Sequence, residues 1–72
     1  MTDLAIYFKK DHPIFYSGTF HVSSNPSQNS IIINTIEHSA YLNLDKIDHF
    51  ETDSLTLKRV LNEIKLDVKH IE

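Results

Sequence analysis

Between residues 14 and 22 the chain alternates. Even positions carry Ile14, Tyr16, Phe20 and Val22, while odd positions carry Phe15, Ser17, Thr19 and His21. A period of two with one wet face is the pattern of an antiparallel strand laid against a core. Gly18, the only glycine in the chain, sits at the centre of this run. A lone glycine inside a strand marks a bulge or a sharp bend. The sequence therefore predicts a strand that bends, as when a small sheet curls toward a barrel.

The neighbouring segments read the same way. Leu4, Ile6 and Phe8 share one face of a first strand over 4–9. Lys10, Asp11, His12 and Pro13 then end it, because proline fixes φ and lacks an N–H. Residues 23–30 contain no apolar side chain apart from the ring of Pro26, which predicts an exposed loop. The β-branched run 31–36 suits a strand buried on both faces or at a sheet centre. Glu37, His38 and Ser39 turn the chain. Ala40, Leu42 and Leu44 then alternate with Tyr41, Asn43 and Asp45, giving a strand over 40–44. Asp45 and Lys46 form a corner before a short strand over 47–51. The run 41–51 resembles strand–corner–strand segments of small bacterial β-domains, PH-like and small-barrel ones among them. The resemblance carries no functional residue with it.

The C-terminal part supports two readings. Thr52, Asp53 or Ser54 can cap a helix. Leu57, Leu61, Ile64, Val68 and Ile71 then recur at spacings of four and three, so one helix over 54–70 is preferred. The rival is a helix over 54–63 followed by a strand over 64–71, because residues 64–69 alternate strictly. The fold expected is α+β: a single domain, 1–72, with a four- to five-stranded antiparallel meander and one C-terminal helix. Its core is expected from Ile6, Phe8, Phe20, Ile33, Leu42, Leu44, Ile47, Phe50, Leu61 and Ile64.

A chain of 72 residues buries a thin core and usually needs a disulfide, a metal or a partner. Without cysteine, disulfides and zinc fingers are excluded. Five histidines, His12, His21, His38, His49 and His70, invite a metal reading. No two stand at i,i+2 or i,i+4, and a site would need His21, His38 and His49 to converge with Glu37 or Asp48. Scattered surface positions are the preferred reading, and no metal is expected. Asp11–His12, Glu37–His38 and Asp48–His49 pair a carboxylate with an imidazole. On a regular strand, however, neighbours point to opposite faces and make no dyad. One glycine cannot build a phosphate loop, and no G-x-S-x-G elbow is present. No enzyme, catalytic residue or cofactor is expected.

Self-association is therefore the expected staple, with a homodimer as the specific form. An uncharged edge along Leu4–Phe8 and apolar residues off the helix stripe, Leu55 and Leu66, would serve it. Ten carboxylates face seven basic side chains, a net charge of −3. The excess lies in Glu37, Asp45, Asp48 and Glu51, offset only by Lys46, so this stretch is the candidate surface for a basic partner. The function expected is a non-enzymatic protein-binding module, regulatory or accessory. Its partner-binding residues would be Glu37, Asp45, Asp48, Glu51, Leu55 and Leu66. The alternative is a nucleic-acid-binding regulator using the first hairpin, where Tyr7, Phe8, Phe15 and Tyr16 accompany Lys9 and Lys10. The acidic balance disfavours it.

No basic leader region and no long apolar run is seen, so a cytoplasmic location and no membrane insertion are expected. Abundant Ile and Asn with scarce Ala, Gly, Pro and Arg suggest AT-rich coding, as in many bacteria and phages.

Overall fold

The computed structural model describes residues 3–64 and the backbone of residues 68–70. Seven strands are described: β1 (Asp3–Phe8), β2 (Ile14–Ser17), β3 (His21–Asn25), β4 (Ser30–Asn34), β5 (Ser39–Asn43), β6 (Ile47–Thr52) and β7 (Val68–His70). One α-helix, α1 (Leu55–Glu63), lies between β6 and β7. The strands form two sheets, ordered β2-β1-β6-β7 and β3-β4-β5, which are not closed into a barrel. The architecture is α+β with antiparallel pairing throughout, except for the parallel pair β6–β7.

The extra strands have particular causes. The expected strand over 14–22 divides at Gly18, whose φ of 85° is open to glycine at no steric cost. β2 ends before this corner and joins the first sheet, whereas β3 begins after it and joins the second. Tyr16 and Phe20, on either side of the corner, hold their rings 5.8 Å apart. The polar stretch 23–30 is not a long loop. Ser23, Ser24 and Asn25 pair with β4 as an outer strand, and only the 3-10 turn Pro26–Gln28 with left-handed Asn29 connects the two. Polar composition there reports an exposed edge, which still forms a full backbone ladder.

The run 31–36 ends early as a strand. Ile31 and Ile33 are buried at the centre of the second sheet, but Ile36 is 91% exposed in a turn. The Thr35 amide and hydroxyl both donate to the His38 carbonyl, at 2.8 and 2.9 Å, and the hydroxyl accepts from the His38 amide at 3.2 Å, closing that turn. At the other end of β5, Asn43 accepts from the Asp45 amide at 2.8 Å and caps the 3-10 corner Leu44–Lys46. The corner also accepts from the Lys9 amide through the Lys46 carbonyl, at 3.0 Å.

The single helix over 54–70 is corrected. Ser54 caps α1 by accepting from the Leu57 amide at 3.2 Å, and the helix ends at Glu63. The chain then returns as β7, in register Phe50↔Val68, Glu51↔Lys69 and Thr52↔His70. A strand–helix–strand crossover is how parallel neighbours are joined. The helical stripe and the strict alternation of 64–69 compete here, and pairing with the open side of β6 makes 68–70 a strand, while residues 65–67 and 71 of either reading lie outside the described residues.

Leu4, Ile6, Ile31, Ile33, Ile47, Phe50, Leu57 and Leu61 form the core between the two sheets and the helix. Phe8, Phe20, Leu42, Leu44 and Ile64, expected as core, are only partly buried against it. β1 is paired on both sides, with β2 and β6, so the uncharged run Leu4–Phe8 is an interior strand and offers no edge. Among the described residues, no helix is long and apolar enough to cross a membrane.

Candidate binding site

The outer face of the first sheet holds a cluster of aromatic and acidic side chains. Ala5 and Tyr7 of β1 point there, because Leu4 and Ile6 point into the core. Ala5 stands in register between Phe15 on β2 and Glu51 on β6. Tyr7 stands opposite His49. The Tyr7 and His49 rings stack in parallel, with centroids 4.6 Å apart and planes 9° off parallel. Phe15 meets Tyr7 edge-on at 6.5 Å and leaves 68% of its own surface in solvent.

A bulge builds the polar end of this row. Tyr7 pairs with His49 but Phe8 pairs with Ile47, so Asp48 is an extra residue on β6. Two residues opposing one locally break the alternation of faces. Asp48 Oδ2 therefore reaches His49 Nδ1 at 2.6 Å. The other ring nitrogen, Nε2, lies 3.7 Å from Glu51 Oε1. This corrects the expectation that no carboxylate–histidine neighbour forms a dyad. The signal lay in Ile47 and Phe50, both core residues separated by three positions, an odd spacing that a regular strand cannot keep on one face.

Glu51 acts on Tyr7 as well. Hydrogen bonding to the Glu51 carboxylate raises the Tyr7 phenol above its ordinary pKa, and desolvation and the carboxylate's charge add to this. Tyr7 thus has Glu51 beside its phenol while its ring stacks on His49. Beside it opens a shallow groove of about 400 Å³, lined by Tyr7, Phe15, Tyr16, Asp3, Ser17, Ala5, Leu4 and Glu51. Among the described residues the groove is aromatic on one side and anionic on the other, and β7 sets Lys69 in register with Glu51. Both ring nitrogens of His49 face carboxylates, so the arrangement holds the imidazole in place against Tyr7.

The residues expected to bind a partner are only partly brought together. Asp48 and Glu51 meet at His49. Asp45 lies at the 44–46 corner, in a second groove with Lys9, Lys10, Asp11 and Lys46, where three lysines surround two carboxylates. Glu37 lies at the opposite end of β5, in the turn before it. Leu55 is 75% exposed at the start of α1, and Leu66 lies outside the described residues. The first hairpin is divided as its alternation predicts: Phe8 and Tyr16 pack against the core, and Tyr7 and Phe15 face outward. Among the described residues, no group of three or more histidine or acidic side chains could hold a metal ion. Comparisons with protein-family models, curated proteins and solved structures gave no match.

Proposed function

We propose that this chain is a non-enzymatic protein-binding module that takes its partner on the outer face of β2, β1 and β6. The observation that supports this is the exposed Phe15–Tyr7–His49 row, fixed from behind by Asp48 and Glu51. Rigid aromatic side chains supply contact area at low cost in conformational entropy, and they anchor protein interfaces. Carboxylates around the rings count against nucleic acid, because Asp3, Asp48 and Glu51 stand where phosphates would approach. Lys9 and Lys10 sit beyond the end of the row, beside Asp11 and Asp45.

Selection from a random displayed peptide library tests the reading. Enriched peptides are expected to bind the wild-type chain and to lose most of that binding in the Phe15→Ser variant, whose exposed position leaves the core untouched. Equal binding to both, or enrichment of oligonucleotides with no peptide, would reject it.

One observation also favours a homodimer. β2 is an outer strand of the first sheet, carries no charged residue, and exposes Ile14 and Phe15. Unguarded edges of this kind are templates for pairing with a second copy. Sedimentation at micromolar concentration is expected to show twice the 8.4 kDa chain mass, with a Tm that rises with concentration. A single species at the monomer mass would exclude the dimer and leave the binding face as proposed.

A further inference from the structure

β2 closes one side of the first sheet and is paired only with β1. Among the described residues, Ile14–Ser17 make no backbone hydrogen bond beyond that ladder. Both faces of this edge are apolar. Phe15 is 68% exposed on the outer face, and Ile14 is 37% exposed on the core-side face, in register with Ile6. No Asp, Glu, Lys or Arg occurs from residue 12 to residue 36. The other outer strands differ. β3 and β5 are uncharged too, but of large apolar side chains they expose Tyr41 alone among the described residues, and β7 carries Lys69.

We propose that β2 pairs with β2 of a second copy about a two-fold axis at Phe15, joining the two binding faces into one sheet. This pairing rests on the reading of the chain as a homodimer and of this face as its binding face, and fixes how the two combine. Side chains at a two-fold axis meet themselves, so a charge there repels its own copy. β2 carries none. Keeping both outer faces on one side requires antiparallel strands, because a parallel two-fold pair turns one copy over. Opposed residues then share a face, so the register is centred on a residue. Centred on Phe15, the ring meets its own copy on the outer face and Ile14 meets Tyr16 on the inner face, with Ser17 and Pro13 at the ends of the ladder. Aromatic and aliphatic pairs of this kind stabilise antiparallel strands. Centred on Tyr16, the register sets Phe15 against Ser17 and Ile14 against Gly18, past the end of β2. Centred on Ile14, it sets Phe15 against Pro13, which has no N–H. The strand order becomes β7-β6-β1-β2 followed by β2-β1-β6-β7 of the second copy. The row His49–Tyr7–Phe15 then runs on through a second Phe15 to a second Tyr7 and His49. With strands about 4.8 Å apart, the two β1 strands lie roughly 14 Å from each other. A partner that presents its motif twice engages both halves at once.

The test charges the axis. Wild type, Phe15→Lys, Phe15→Glu and an equimolar mixture of the two variants are sedimented over a micromolar concentration series at low salt. Position 15 is exposed, so both variants should keep a folded spectrum. The wild type is expected at twice the 8.4 kDa chain mass, and each variant alone should dimerise at least about tenfold more weakly, having lost the ring pair and gained a like-charge pair. The mixture should dimerise about fivefold more tightly than either variant, the scale of opposite against like charges at one directly opposed pair, and salt should remove that gain. Isotope-filtered NOEs between differently labelled wild-type copies read the register without any variant, and should connect Ile14 with Tyr16 and Phe15 with Phe15. A dimer whose filtered contacts join other residues, or a mixture no tighter than its components, would overturn this pairing while the homodimer stands. A monomeric wild type would overturn both the pairing and the homodimer and leave the binding face standing.

Discussion

Thr52 is fully buried, and its hydroxyl is doubly used. It donates to the Asp3 carbonyl at 2.6 Å and accepts from the Ser54 amide at 3.2 Å, so it ties the start of β1 to the entry of α1. Thr52→Val keeps the shape and strands both partners, and should cost about 1–3 kcal/mol in denaturant unfolding. A loss near zero would mean that neither bond matters to stability. Tyr7 and Tyr16 make a second residue-scale case. Glu51 raises the Tyr7 phenol, and burial raises that of Tyr16. A raised folded-state pKa means that the folded chain holds the proton more tightly than the unfolded chain. That contribution is complete below the ordinary phenol value of about 10 and is lost as pH climbs through the folded-state values. Stability should therefore fall over this alkaline range, and less steeply in Tyr7→Phe; identical slopes would contradict the Glu51 assignment. Neither Thr52 nor the Asp48–His49 contact was legible from residue type, because each depends on which strand lies alongside. The bulge did leave a trace in the odd spacing of Ile47 and Phe50.

At the scale of elements, alternation was the dependable signal. It correctly divided Tyr7 from Phe8 and Phe15 from Tyr16, and it placed Ala40 and Leu42 on the face of β5 that packs against the core. It was silent on which strands pair. β6 returns to β1 across the intervening residues 9–46, a choice made by core packing that no local pattern records. The same blindness misplaced part of the core. Phe20 follows the Gly18 corner at the junction between sheets and stays partly exposed, while Leu57 and Leu61 press fully onto the sheets. Leu61→Ala should therefore cost about 2–5 kcal/mol. Phe20→Ala should cost less, about 1–2 kcal/mol, since only part of its ring leaves water. Equal losses on thermal unfolding would show that the corner is packed as tightly as the core.

At the scale of the molecule, the acidic excess seen along 37–51 does not form one surface. Folding sends Glu37 to one end of β5 and Asp45 to a lysine-rich corner at the other. Only Asp48 and Glu51 remain together, and they join an aromatic row whose members come from β1 and β2. Composition located the charge but could not see the rings beside it, because that juxtaposition exists only once β1 lies between β2 and β6. On the proposed function this face, rather than the second sheet or the exposed start of α1, receives the partner. Amide chemical-shift mapping with the tightest library-selected peptide tests it most directly. The expected footprint is confined to Ala5, Tyr7, Phe15, His49 and Glu51 and their strand neighbours, with β3, β4 and β5 unshifted. A footprint centred on the second sheet, or around Glu37, Asp45 or Leu55, would contradict it.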